Sequence, residues 1–232
     1  MNEVVNGLAG TDAELAVVPL GTGMDFGRTY GIPRRFDEAV RAARDGELRA
    51  VDAGRVRYRL RGGEEAERWF ANVGSVGMSG AVAERANGMS KALGGRLTFF
   101  YALTRVFLRW QNGELTVRTD HGERRGRMHD VIVANGVWHA GGMKLAPDAR
   151  PDDGLFDVVL IGDVSKLDFA TTAPKIYRGG HVRHPKVDVV RSATVEVDAP
   201  EPLPIELDGE QVGTTPVRFE VVPRALRLRV PR

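Results

Sequence analysis

Three short stretches of the chain bring together residue types that can act on a ligand. The first is Gly21-Thr22-Gly23-Met24-Asp25, which follows the apolar run LAVVPL and precedes a helical pattern. Backbone N–H groups at a strand-to-helix junction can cradle a phosphate, the Thr22 hydroxyl can donate to it, and Asp25 can hold Mg²⁺ or its water shell. Two glycines after a strand are common, so taken alone an ordinary βα turn is the better reading.

The second stretch is PDARPDDGLFD, where Asp148, Asp152, Asp153 and Asp157 precede an apolar strand. Clustered carboxylates and loop carbonyls suit a hard cation such as Mg²⁺. Acidic turns also enter strands for structural reasons, and Asp-Gly is itself a turn signal, so the two readings stand level. The third stretch is IELDGEQVGTTP, two short strands around Asp208-Gly209-Glu210. The Asp-Gly pair fits a tight hairpin turn. The same turn could present Glu210 to a cleft as a general base, and spacing alone favours neither. His181 and His184 in GGHVRHP lack a third ligand of suitable type nearby and are read as loop structure rather than a zinc site.

The elements that would carry these residues change character along the chain. The first fifty residues alternate between helix and strand in the manner of an α/β domain. A helix over Asn2 to Leu8 is followed by a buried strand LAVVPL, the glycine loop, then helical FGRTYG and FDEAVRAARDG. From Leu48 onward the pattern is period-two strands, in RAVDAGRVRYRL, RWFANVGSVG, HDVIVANG, DGLFDVVLIG, SATVEVDA, PIELDGEQV and RFEVVPRALRLRV. A mostly antiparallel sandwich or barrel follows from that texture. Two helical interruptions are expected, over about Val82 to Trp110 and Lys166 to Arg178. Within the first, Phe100, Leu103, Phe107 and Trp110 form an apolar stripe, which fits a core helix better than a lipid-facing wall or a bilayer contact.

Composition narrows the function classes. A 42% hydrophobic content over 232 residues is ample for a packed core. No apolar run reaches the length of a membrane span and no signal peptide opens the chain, so a cytoplasmic location is expected. The lack of cysteine excludes disulfides, thiolate metal sites and Cys nucleophiles. A net charge of +2 is near balance, and no basic patch marks a nucleic-acid partner.

Taken in order, the blocks resemble the diacylglycerol kinase catalytic family, which includes bacterial lipid kinases and the sphingosine and ceramide kinases. VVPLGTGMDFGRTYGIP resembles its nucleotide loop, VDAGRV and FANVGSVGMSG its interdomain strands, and VANGVWHAGGMKLAPDARPDDGLFDVVLI its longest C-terminal signature, with LDGEQVGTTP completing the series. The resemblance implies a partial α/β nucleotide-binding domain over residues 1–48, followed by an antiparallel β-sandwich domain over 49–232. It implies ATP-dependent phosphorylation of a lipid hydroxyl at the cleft between them, with peripheral contact at the membrane surface, and it is compatible with a homodimer. By the same resemblance Glu210 is the general base and Asp52 a carboxylate near the catalytic region. Gly21, Thr22, Gly23 and Asp25 are nucleotide contacts, and Asp153 with the carbonyls of Arg150 and Leu155 is a Mg²⁺ site supporting the cleft. Phosphoryl transfer is mainly positioning and charge neutralisation, which these parts suit.

Two departures stand out. Met24 occupies a position where the family has Asn, which removes a polar group from the loop. In the family, NEVVNGL directly follows a Gly-Gly-Asp-Gly-Thr phosphate loop, whereas this sequence starts at that point. The expectation is therefore a C-terminal portion of a lipid kinase that does not turn over ATP by itself. The rival readings are a non-catalytic lipid-binding or regulatory protein and a kinase for a soluble polyol or nucleotide.

Overall fold

The computed structural model describes residues 1–20, 24–89 and 95–232, and the side chains of all of these except 95–100. Helix α1 (Asn2–Leu8) leads to a two-residue strand β1 (Glu14–Leu15) and to helices α2 (Asp25–Thr29) and α3 (Phe36–Asp45). Strands β2 (Glu47–Arg59), β3 (Glu65–Phe70) and β4 (Val73–Gly77) follow, then helices α4 (Met78–Asn87) and α5 (Gly95–Arg109). Strands β5 (Gly113–Thr119), β6 (Gly122–Met128) and β7 (Asp130–Ala134) return to the sheet. The two-residue strands β8 (Trp138–His139) and β9 (Met143–Lys144) form a separate hairpin. The chain closes with β10 (Phe156–Ile161), α6 (Lys166–Ile176), β11 (Val187–Ser192), β12 (Thr194–Asp198), β13 (Pro204–Leu207) and β14 (Glu210–Val230).

Among the described residues one sheet of twelve strands runs β11-β10-β7-β4-β13-β14-β12-β5-β6, with β2 and β3 branching from β14 and β1 lying beside it. Every pairing in it is antiparallel except the short β1–β14 contact. The mostly antiparallel architecture expected from the alternating patterns is therefore the one observed. The sheet also closes over itself. Phe70 of β3 stacks on Phe156 of β10 with ring centroids 5.6 Å apart and meets Phe219 of β14 edge-on at 6.0 Å, although β3 and β10 are not neighbours in the sheet. These three rings, with Leu115, Ile205 and Leu207, fill the interior of the sandwich.

The 21-residue strand β14 is the spine, pairing with β13 and β12 and along nearly its whole length with β2. Its two prolines, Pro216 and Pro223, fall inside the two register breaks against β2, where a residue without an N–H costs no ladder bond. On the outer face of β2 and β14, Val51, Ala53, Leu226 and Leu228 bury Val5 of α1 and Phe26 and Tyr30 around α2. This second core holds the N-terminal helices against the sandwich.

Two expectations need adjustment. LAVVPL is not a buried strand: only Leu15 is in a ladder, Pro19 lacks a donor, and Leu20 is 82% exposed. The helical stretch expected over about Val82 to Trp110 comprises two helices, α4 and α5, and residues 90–94 between them lie outside the described residues. Strands β5, β6 and β11 carried no expectation at all. Of the apolar stripe, Leu103, Phe107 and Trp110 are half-buried and pack against the small cluster of Met78, Val82 and Ala102. Phe107 lies 4.6 Å from Phe169 between ring centroids; the side chain of Phe100 is outside the described residues.

Candidate active site

The LDGE stretch folds as the tight hairpin its Asp-Gly pair suggests. Asp208 and Gly209 both take positive φ, 49° and 94°, the type I′ combination that Asp-Gly adopts at low cost between twisted strands. The turn is fastened from both sides. The Asp208 carboxylate accepts the N–H groups of Ala71, Asn72 and Val73 at 2.9, 3.0 and 3.0 Å, and Asp208 N–H donates back to the Val73 carbonyl at 2.9 Å. Burial pushes the Asp208 carboxyl above its ordinary range despite those three donors. Asn2 of α1 donates to Asp208 at 3.4 Å and to the Trp69 carbonyl at 3.0 Å, and Asn6 pairs with both backbone groups of Trp69. Helix α1 is thereby docked beside the turn.

Glu210, next along, keeps its side chain 45% exposed, 3.3 Å from the Arg68 guanidinium. It is a partly exposed carboxylate on a fixed mount. Behind it Glu206 is only 1% exposed; it accepts the Ser75 hydroxyl at 2.8 Å and faces His139 Nε2 at 3.3 Å.

Asp25 does not stand alone in a glycine turn. Its carboxylate holds Arg28 at 2.8 Å and accepts the Gly141 N–H at 2.6 Å, tying α2 to the β8–β9 hairpin. Arg28 lies 5.1 Å above the Trp138 ring of that hairpin, whose carbonyl accepts from Asn72 at 2.8 Å. Gly136 is required here, since a Cβ would sit 2.1 Å from Asn72 Oδ1. Gly21, Thr22 and Gly23 lie outside the described residues.

Asp52 is buried and joins three segments. Its carboxylate accepts Gly154 N–H and Arg224 N–H, both at 2.8 Å, and its own N–H donates to the Pro151 carbonyl at 2.8 Å. It therefore clamps the acidic loop onto β2 and β14. Within that loop Asp153 accepts Leu155 N–H at 3.1 Å and pairs with Arg191. Asp157 has a buried carboxylate oxygen without a hydrogen-bond partner, and burial raises its carboxyl, opposed by Arg191 and reinforced by Asp153 and Asp148. The same oxygen faces Arg191 Nε at 4.0 Å. Among the described residues no group of three His, Cys, Asp or Glu side chains converges as a metal cage, so carbonyl oxygens would have to complete any site.

Comparison with known proteins completes the picture. Residues 72–230 match the family described as YegS C-terminal NAD kinase beta sandwich-like domain, and residues 1–56 match the diacylglycerol kinase catalytic domain. The chain belongs to the diacylglycerol kinase family of lipid kinases. It is 30% identical over 229 residues to the diacylglycerol kinase of Mycobacterium tuberculosis (strain ATCC 25618 / H37Rv), covering 97% of this chain and 72% of that protein. It is 27% identical over 237 residues to the diacylglycerol kinase of Bacillus subtilis (strain 168), covering 100% of this chain and 75% of that protein. In fold it is similar to a crystal structure of a diacylglycerol kinase from Bacillus anthracis str. Sterne, with a TM-score of 0.70 at 19% identity over 98% of this chain and 71% of that one.

Against this lipid-kinase background, the sequence drew attention to Glu210, Asp52, Asp25 and Asp153 but not to the residues that hold them. Asp208 was legible as a turn residue only; its three backbone partners sit at the β3–β4 junction, which no local pattern connects to it. His139, Glu206 and Arg68 gave no signal, because each depends on a partner distant in the chain. No helix among the described residues is long and apolar enough to cross a membrane.

Proposed function

We propose that this lipid kinase transfers the γ-phosphoryl group of ATP to the hydroxyl of a diacylglycerol-type or sphingoid lipid, with Glu210 as the base. The observation that supports this most is the contrast between mount and tip. The Asp208-Gly209 turn is pinned to the backbone of residues 71–73 by three N–H groups donating to the Asp208 carboxylate and by Asp208 N–H donating to the Val73 carbonyl, while the Glu210 carboxylate beside it remains half-exposed. In the reaction Glu210 takes the proton of the lipid hydroxyl, the oxygen forms a bond to the γ-phosphorus, and the bond to the ADP oxygen breaks. Rigid placement of the base supplies the positioning part of such a step.

In this reading Gly21, Thr22 and Gly23 contact the nucleotide and Asp25 fixes the adjoining helix. Asp153, with the carbonyls of Arg150 and Leu155, would hold Mg²⁺, and the ion would supply charge neutralisation for the transfer. Asp52 supports that loop. Residues 1–48 supply the nucleotide side and 49–232 the sandwich side, the protein works in the cytoplasm with peripheral contact at the membrane that presents the lipid, and it can act as a homodimer.

The test is transfer of labelled phosphate from ATP to diacylglycerol or sphingosine in mixed micelles. It is run on the 232-residue chain and on an extended chain in which the segment bearing the family's Gly-Gly-Asp-Gly-Thr loop precedes Asn2. Phospholipid product dependent on Mg²⁺ supports the reading; lipid binding without product from either protein favours a lipid-binding role instead.

A further inference from the structure

Glu206 is a fully buried acid that the proposed reaction does not use. Burying a carboxylate costs several kcal/mol unless it is paired and hydrogen-bonded. All its contacts point one way. One oxygen accepts the Ser75 hydroxyl at 2.8 Å; the other accepts the Gly209 N–H and lies 3.3 Å from His139 Nε2. Gly209 is the middle of the turn that presents Glu210, so this carboxylate grips that turn from inside, opposite the grip of Asp208 from the β3–β4 side.

His139 belongs to the β8–β9 hairpin, whose loop is held by Asp25 through Gly141 N–H at 2.6 Å and whose Trp138 carbonyl is held by Asn72 at 2.8 Å. Burial alone would lower the His139 imidazole, but the Glu206 carboxylate lifts it to about 9, with Asp208 and Asp25 adding to the lift. Glu206 is in turn lowered by His139, Gly209 and Ser75 against the opposing effect of burial. Both groups are thus charged at neutral pH, and in a site of low dielectric their contact is directional and stiff.

We propose that Glu206 and His139 are a positioning pair: the buried carboxylate clamps the Gly209 N–H and, through His139, joins the turn carrying Glu210 to the hairpin that Asp25 anchors. The inference rests on the reading of Glu210 as the base. Three polar contacts, Asp25 with Gly141, His139 with Glu206 and Glu206 with Gly209, thus alternate with short stretches of chain between helix α2 and Glu210. A clamp lost at Gly209 frees the base to wander, and displacement of a reacting group by about 1 Å costs about 100-fold in rate.

The clamp is tested first without turnover, by hydrogen exchange of the Gly209 amide in the 232-residue chain. Glu206→Ala removes the acceptor, and Glu206→Asp keeps the charge but shortens its reach; each is expected to speed Gly209 exchange about 10-fold or more, whereas Glu206→Gln, whose amide oxygen can still accept, keeps most of the protection. In the extended chain Glu206→Ala should lower kcat by about 10–100-fold with KM for ATP and lipid unchanged, and Glu206→Gln should recover most of it. On a Glu210→Gln background Glu206→Ala should add no further loss, because the two act as one unit. Gly209 exchange unchanged in both the Ala and Asp variants overturns the clamp, as does a kcat loss that adds in full to that of Glu210→Gln. A Glu210→Gln variant with wild-type rate would instead remove the reading of the base, leaving the exchange result to judge the clamp alone.

Discussion

Asp208 and Val73 are joined twice, side chain to backbone and backbone to backbone: the carboxylate accepts Val73 N–H at 3.0 Å, and the Val73 carbonyl accepts Asp208 N–H at 2.9 Å. With Ala71 and Asn72 also donating to the same carboxylate, one side chain satisfies three consecutive buried N–H groups. Asp208→Ala should therefore cost about 2–4 kcal/mol by urea unfolding, since it strands several donors. Asp208→Asn keeps an acceptor oxygen for some of them and should cost less, about 1 kcal/mol. Equal stability of both variants with wild type would show that backbone geometry alone holds the turn.

Asp52 gives a second stability test with a built-in contrast. Arg224 sits at φ 55°, uncommon for a residue with a Cβ, and its N–H is held by Asp52. Arg224→Gly should be neutral or slightly stabilising, because glycine adopts that conformation freely. Asp52→Ala should lose about 2–4 kcal/mol, with faster exchange at the Gly154 amide, because two N–H groups lose their acceptor at once. A melting temperature for Asp52→Ala within a degree of wild type would contradict this.

How much of this was legible in the sequence depends on whether a feature is made locally. The Asp208-Gly209 turn, helix α1 and strand β10 are set by neighbours in the chain, and their patterns gave them directly. Strand β6, reading GERRGRM at the end of the sheet, has polar residues on both faces and offers no alternation to detect. LAVVPL misled for the opposite reason: it has the composition of a strand, but only Leu15 of that segment finds a ladder partner. The site splits along the same line. Glu210 could be suspected from its place after a turn, whereas the pairing of His139 with Glu206 exists only once β8 and β13 are brought together.

That pairing predicts a pH signature. The folded-state His139 titrates near 9, above its ordinary 6.5, so its contribution to stability is fully present below about pH 6.5 and is lost as pH rises toward 9. The Glu206 side works oppositely, its contribution being lost as pH falls below the ordinary carboxylate range. His139→Gln should thus lower the melting temperature by several degrees at pH 6 and by much less at pH 10. A penalty that is the same at both values would mean the imidazolium plays no part.

For the acidic loop, Mg²⁺ should raise the melting temperature of the wild-type chain by mass action and shift that of Asp153→Asn less. Asp153 is paired with Arg191, so Arg191→Gln should strengthen the Mg²⁺ response by freeing the carboxylate. Identical shifts in wild type and Asp153→Asn would place the ion elsewhere.

The central claim, that Glu210 is the base, is tested most directly by lipid phosphorylation in the extended chain carrying Glu210→Gln. Glutamine keeps the size of the side chain and a contact to Arg68 but cannot accept the proton. The predicted result is a kcat lower by about 10²–10⁴-fold, with ATP affinity and melting temperature unchanged. A rate within a few-fold of wild type would contradict the account and leave the Asp208-Gly209-Glu210 turn as structure only.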